Sequence, residues 1–429
     1  MDVLLNFWEN FRHNLFKPLL LFFYMGFSVP LLRVPFDFPA QLYQGLTIFL
    51  LVSIGWKGGE ELADLKPHEF KQALGFMLVG FITNFIIGII AYNILRRATK
   101  LRRVDAATVA GYYGSDSAGT YATCIGVLAS VQLAATTVAD KEMYGYAPYM
   151  PVMLAVMEVP GCLVALFLIA RLREQGMDPL GHMPDEAGYN PKAARPALVA
   201  GGHGDHGHGG HGEHSAPATA VKTGGNGEKE FKGFLNLKLL HELFLNQGLF
   251  LLFGGILIGF VSRLQGKNVT DADDPLFNTM FQGLLCLFLL EMGITACRRL
   301  RDLKAGGIPF IAFAIIAPNV FATFGMCVAH GYSLAIGEPF SLGTYVLFAV
   351  LCGAASYIAV PAIQRLAIPE ASPTLPLAAS LGCTFSYNVT IGIPVYIEIA
   401  KFLKNAFPHA EQAASETACW MVTAATALV

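Results

Sequence analysis

The chain has 429 residues, 54% of them hydrophobic and 14% charged, with a formal net charge of -2 and a mean hydropathy of +0.51. That balance offers no basic surface for nucleic acid, and no nucleic-acid partner is expected. The charges sit in short clusters between long apolar runs, the composition of an all-α polytopic membrane protein.

Residues 1–17 come first. No short apolar region with a small-residue cleavage site precedes the first span, so they read as mature protein. Val3, Leu4, Phe7, Trp8, Phe11, Leu15 and Phe16 recur at roughly helical spacing among Asn6, Glu9, Asn10 and Arg12, which suits an interfacial helix. Crossing about 30 Å of hydrocarbon takes roughly 20 helical residues. About ten such spans can be drawn, over 18–34, 39–57, 72–95, 106–131, 148–171, 246–264, 277–297, 307–332, 342–366 and 374–401. The loop after span three carries Arg96, Arg97, Lys100, Arg102 and Arg103, and the loop after span seven carries Arg298, Arg299, Arg301 and Lys304. The positive-inside rule assigns both to the cytoplasm. The opposite loops are acidic, with Glu60, Glu61 and Asp64, then Asp140 and Glu142, then Asp271, Asp273 and Asp274. Both termini then face outward.

Span four is broken. Gly111-Tyr-Tyr-Gly114-Ser115-Asp116-Ser117-Ala118-Gly119-Thr120 sets glycines, hydroxyls and a carboxylate where a membrane helix should run on. A charge near the bilayer centre costs roughly 2.5 to 3.5 kcal/mol on insertion scales, so Asp116 needs a cavity or an ion. Residues 51–66 and 289–304 agree at Leu51/Leu289, Gly55/Gly293, Leu62/Leu300, Asp64/Asp302, Leu65/Leu303 and Lys66/Lys304. Such a duplication makes a first five-helix repeat of 18–171 and a second of 246–401. Five being odd, the two repeats enter the membrane from opposite sides, a common plan of secondary transporters with discontinuous helices meeting at midplane. The partner break is expected in span nine, where Gly353, Ala354, Ala355, Ser356, Tyr357 and Pro361 fall. The competing reading is that these glycines only let helices pack closely.

Residues 172–245 turn to Gly, Ala, Pro, Glu, Lys and His, too poor in large apolar residues to order, and read as a disordered cytoplasmic linker. His203, His206, His208, His211 and His214 cluster within it. Imidazoles bind Zn, Ni or Cu, and the readings are weak divalent binding, a regulatory metal sensor, or no binding role. Residues 402–429 form a C-terminal tail. Seven of the eight cysteines lie in or at the ends of spans with no Cys-x-x-Cys pair, and read as packing residues.

A broken helix frees backbone N–H groups at one new end and carbonyls at the other. The helix dipole makes these ends attractive to anions and cations respectively. Ser115, Ser117, Thr120 and Ser356 add hydroxyls, so a small oxyanion with a hard monovalent cation fits. Glu158 and Glu291 are further intramembrane carboxylates, each read either as functional or as a neutral group fastening helices. Thr384, Ser386, Asn388 and Thr390 read as helix-to-helix hydrogen bonds. There is no His-Glu-x-x-His, Walker or dinucleotide motif and no base beside the serines, so the chain is not expected to be an enzyme and no cofactor is expected.

These residues resemble the sodium-dependent bicarbonate transporters first described in cyanobacteria. The resemblance rests on the opening Met-Asp-Val-Leu-Leu-Asn-Phe, Arg103-Val-Asp-Ala106, the Gly114-to-Thr120 break, Glu158-Val-Pro160, Ala355-Ser-Tyr-Ile-Ala-Val-Pro361 with Arg365 and Ile368-Pro369, and Ile391-Gly-Ile-Pro394. It implies a homotrimer of inverted-repeat subunits in a bacterial cytoplasmic membrane, importing bicarbonate with Na+ where the broken helices cross. The positions that match the family's are Ser117, Thr120, Ser356 and Glu158. Together with the broken-helix chemistry, the candidate substrate contacts are Gly114, Ser115, Asp116, Ser117, Ala118, Gly119, Thr120, Ala355, Ser356 and Tyr357, and the candidate Na+ contacts are Asp116, Ser117, Thr120, Glu158 and Ser356. Three positions depart: Glu158 stands where the cyanobacterial pattern has an aspartate, Asp116 where it is apolar, and Tyr357 where it has an aspartate. The alternatives are a same-fold transporter of another substrate, such as an organic anion symporter or ion exchanger, and a regulatory ligand-sensing membrane protein. The family's cyanobacterial members are inhibited by a small PII-like protein, and the His-rich linker here does not resemble theirs.

Overall fold

A computed structural model describes residues 16–134, 137–193, 247–357 and 360–408, apart from 362, 363, 365 and 366. Among these residues every regular element is helical. They are α1 (Pro18–Leu31), α2 (Ala40–Ala63), α3 (Pro67–Ala98), α4 (Arg103–Tyr113), α5 (Ala118–Ala134), α6 (Val138–Met143), α7 (Met150–Glu174), α8 (Gln247–Gln265), α9 (Lys267–Asp274), α10 (Phe281–Arg299), α11 (Gly307–Ile336) and α12 (Leu342–Gly353). The final helix passes through Leu375–Leu377 and two wide π segments, Ala378–Phe385 and Asn388–Gly392, into α13 (Ile393–Ala406). Five stretches are long and apolar enough to cross a membrane: Pro67–Ala98, Met150–Glu174, Gln247–Gln265, Lys267–Arg299 and Asp302–Ile336. Pro18–Leu31 and Leu342–Gly353 are apolar but shorter.

Local chemistry sets several of these ends. Pro67 opens α3, and Glu69 accepts from the Lys66 backbone N–H at 2.7 Å. Arg96 and Arg97 sit in its last turn, where the dipole favours cations. Ser341 caps α12 by accepting from the Thr344 N–H. Gly337, at φ +73°, ends α11 with its N–H and that of Glu338 turned back onto the Leu334 and Ser333 carbonyls.

The helices form two bodies. In the first, α2 lies along α8 and α1 along α10. Gly55 and Gly59 face Gly255 and Gly259 so closely that a Cβ on Gly259 would stand 2.2 Å from the Trp56 carbonyl oxygen. Gly26 and Gly293 bring α1 and α10 together in the same way. The glycines matched between the two halves, Gly55 and Gly293, thus do the same job. Each seats the second helix of its half on the first helix of the other half. The second body gathers α3, α4, α5, α7, α11, α12 and α13. Its core includes Phe76, stacked on Phe348 at 4.6 Å and on Tyr332 at 5.2 Å, which fastens α3 to α12 and α11.

Two sequence expectations change. Span two does not stop at residue 57: α2 continues to Ala63, so Glu60 and Glu61 lie on its last turns rather than in a loop. The glycine contact with α8 carries the helix onward past Gly58 and Gly59. The breaks expected in spans four and nine are present, α4 ending at Tyr113 before α5 starts at Ala118, and α12 ending at Gly353. The start of the expected linker is ordered. Asp178 accepts N–H bonds from Leu180 at 2.9 Å, His182 at 2.8 Å and Asn190 at 2.6 Å, while Glu186 accepts from Met183 and Arg103. Carboxylates satisfy this backbone in place of an apolar core, which a composition rule does not weigh. Burial pushes the Asp178 carboxyl up, but the backbone N–H bonds outweigh it and hold the group below its ordinary value. The seven described cysteines are free, and five are buried. Residues 1–15 of the interfacial segment, Arg365, the five tract histidines and residues 409–429 of the tail lie outside the described residues.

Candidate functional site

The α4 helix stops because Gly114 leaves helical geometry after its N–H closes on the Ala110 carbonyl, and α5 starts at Ala118. Ser117 caps α5: its Oγ accepts from the Thr120 N–H at 3.3 Å and from the Thr120 hydroxyl at 2.9 Å. That leaves the Ser117 hydroxyl proton to donate elsewhere. Ser115 donates to the Glu158 carbonyl of α7 at 2.8 Å, beside Pro160, which interrupts the α7 hydrogen-bond ladder.

The second break meets the first. The Ser356 N–H donates to the Tyr112 carbonyl at 2.8 Å, and the Tyr112 hydroxyl donates to Gln364 Oε1 at 2.7 Å. The Tyr357 hydroxyl rests against Gly119, where a Cβ would stand 1.9 Å from it, so the crossing needs glycine there. Two of the carbonyls that α12 frees at its end are taken by amides. Asn84 of α3 donates to the Leu351 carbonyl at 3.4 Å and to the Met157 carbonyl at 3.1 Å. Asn388 donates to the Gly353 carbonyl at 2.9 Å and is itself held by the Tyr396 hydroxyl at 2.6 Å.

Asp116 sits in the middle of this arrangement, 2% exposed, with Oδ2 lacking any hydrogen-bond partner. Glu158 is close enough to act on it electrostatically, and Cys162, Cys352 and Tyr121 are close enough to feel it. The structure therefore brings together Gly114, Ser115, Asp116, Ser117, Ala118, Gly119, Thr120 and Glu158 with Ala355, Ser356 and Tyr357. Glu291 is elsewhere, on α10 of the first body, accepting from Thr295 at 2.8 Å and facing Tyr43. Thr384 and Asn388 do join helices, Thr384 by donating to the Ala314 carbonyl and meeting the Tyr113 hydroxyl. The sequence reading passed over Asn84, Tyr121 and Gln364. An amide midway along an apolar span, as Asn84 is, was the available signal.

Chemically, a buried carboxylate oxygen without a donor, next to a second carboxylate, suits a small cation. The N-terminus of α5 and the Ser117 hydroxyl offer donors suited to an oxyanion. Among the described residues no group of three or more His, Cys, Asp or Glu is placed to hold a metal ion.

A multi-pass helical membrane protein with two broken helices crossed in one of its two bodies is the architecture of a transporter. The chain belongs to the Na+-dependent bicarbonate transporter superfamily, whose family model matches residues 18–401. No curated protein matches the chain.

Proposed function

We propose that this protein is a Na+-coupled symporter that brings bicarbonate, or an anion of similar size, into the cell. The observation that carries the reading is the unpartnered Asp116 oxygen at the crossing of two broken helices. In this mechanism Asp116 and Glu158 hold Na+, and the first-turn N–H groups of α5 with the Ser117 hydroxyl hold the anion. Ser356 and Tyr357 close the site from the second break. The bound pair is neutral, and that neutrality matters energetically. A lone monovalent anion entering a negative interior works against about 2.3 kcal/mol per 100 mV, and one Na+ carried with it cancels that cost. The sodium concentration gradient then drives accumulation.

The reading includes ten spans in two inverted five-helix repeats, with both termini outside. Its support is the exchange of partners in the first body, where the second helix of each half seats on the first helix of the other. It also includes a homotrimer in the cytoplasmic membrane, for which the exposed apolar face of α8, with Phe250, Leu257 and Leu264, offers contact area to a neighbour or to lipid. The test is counterflow of labelled bicarbonate in proteoliposomes. Exchange that needs Na+ is the expected result. Exchange of an organic anion with no uptake of bicarbonate would move the protein to another substrate on the same fold.

A further inference from the structure

The N-terminus of α5 has a wall that the two broken helices do not supply. Side chains of a helix lean toward its N-terminus, so the space a Cβ would take on Gly119, in the first turn, lies beside the N–H groups offered to an anion. That space is filled from two sides. A Cβ there would stand 1.9 Å from the Tyr357 hydroxyl of the second break and 3.2 Å from Cε1 of Phe288 on α10. Phe288 belongs to the first body and is 2% exposed. One flank of the anion turn is therefore closed by the neighbouring body, not by the body that carries the breaks.

Two contacts hold the Phe288 ring in that place. Further along the same face of α5, Gly126 meets α10 again: a Cβ on it would stand 2.9 Å from Leu285 Cδ2, and Gln282 Nε2 donates to its carbonyl at 3.3 Å. These contacts set the register of α10 on α5. Tyr43 of α2 lies parallel to Phe288, with ring centroids 5.8 Å apart and planes at 14°. One face of the ring is thus backed within the first body, and an edge atom reaches Gly119. An aromatic edge is electropositive where the face is electronegative, so this edge can line an anion site without repelling its occupant. Backed by Tyr43, it also resists being pushed aside. We propose that Phe288 is the size filter of the anion site, admitting a planar oxyanion of the outline of bicarbonate or acetate and rejecting an organic anion whose carbon chain runs on beyond it. This rests on the transport reading above for the place of the anion, at the first turn of α5, though not for its identity.

The test separates place from identity. A ligand that binds only the folded protein raises Tm according to its concentration over Kd, so the full chain in detergent with Na+ present can be titrated with formate, bicarbonate, acetate, propanoate and butanoate. One methylene too many in a pocket costs about 10-fold or more, and the unaltered protein should bind propanoate weaker than acetate by that factor. Phe288→Ala should bring the ratio close to one with little change in the acetate Kd, and Phe288→Leu should fall between. Because both anions are compared on the same variant, a mere loss of stability leaves the ratio unmoved. In uptake assays propanoate should compete with bicarbonate in Phe288→Ala and not in the unaltered protein. A ratio that is the same with and without the Phe288 ring overturns the filter, as does a series in which no anion raises Tm. If Phe288→Ala fails to insert, Tyr43→Ala, which removes the backing and leaves the edge, should lower the ratio by a smaller factor, and an unmoved ratio there would overturn the proposal. Should the carboxylate series follow Phe288 while bicarbonate neither binds nor enters, the filter stands and the substrate assignment falls.

Discussion

The two bodies are held together by different chemistry. The α1, α2, α8 and α10 body closes on glycine contacts such as Gly59 with Ile256 and Gly259 with Trp56, where backbone meets backbone. In the other body the centre is held by side-chain amides and hydroxyls that reach backbone groups left open by two helix breaks, through Asn84, Asn388 and Ser115. Backbone-to-backbone packing tolerates no extra atom and gives a stiff slab. Hydrogen-bonded helix ends keep irregular backbone inside the membrane at little cost, provided every group but the functional one is satisfied. The difference separates a frame from a site, and each can be damaged without the other.

Substitutions at the crossing should therefore change ion and substrate dependence, and substitutions at the glycine contacts of the frame should change stability alone. The largest effect is expected from Asp116→Asn. Removing a charged contact costs about 1.5 to 3 kcal/mol, so the apparent Na+ affinity for uptake should fall by roughly 10- to 150-fold while insertion is retained. An unaltered sodium dependence would remove the site from the crossing. Next comes Gly259→Val, which forces atoms into the Trp56 backbone. Overpacking costs about 1 to 3 kcal/mol, seen as a lower Tm in detergent, with the sodium dependence of the folded fraction unchanged. Asn388→Leu is smaller in stability, about 0.6 kcal/mol on the scale of polar contacts within membranes. It should still alter transport, since it frees the Gly353 carbonyl at the crossing, and a loss of stability with no change in transport would blur the distinction. The smallest effect is that of Asp178→Asn, far from both centres. Its carboxyl is held below its ordinary value of 3.8, so the contribution is complete above that value and is lost only as the pH falls through the lower, folded one. Limited trypsinolysis at Lys192 should quicken in the variant at neutral pH, and acid should loosen the unaltered segment only below pH 3.8.

Much of the candidate site was legible because it breaks the apolar pattern. Gly114 to Thr120 and Ala354 to Tyr357 interrupt apolar spans, and the structure places both breaks against each other. Their contact was argued from the six matched positions in residues 51–66 and 289–304, not from either break alone. The parts that escaped have no periodicity to betray them. Asn84 lies midway along a long helix, and its two carbonyl partners are far away in sequence. The ordered stretch after α7 looked like linker because its stability lies in carboxylates bonding backbone, and hydropathy counts those residues as solvent-loving.

The capping of α12 by Asn84 and Asn388, together with the Ser356 bond to the Tyr112 carbonyl, has a consequence for what competes at the centre. With those carbonyls engaged, a cation there depends chiefly on carboxylate oxygens. A carbonyl cage ignores acidity, whereas a carboxylate takes a proton on the same atom that would take the ion. Protons and Na+ should then exclude one another at Asp116, so that acid acts as a competitive inhibitor, surmounted by more sodium and not by more substrate.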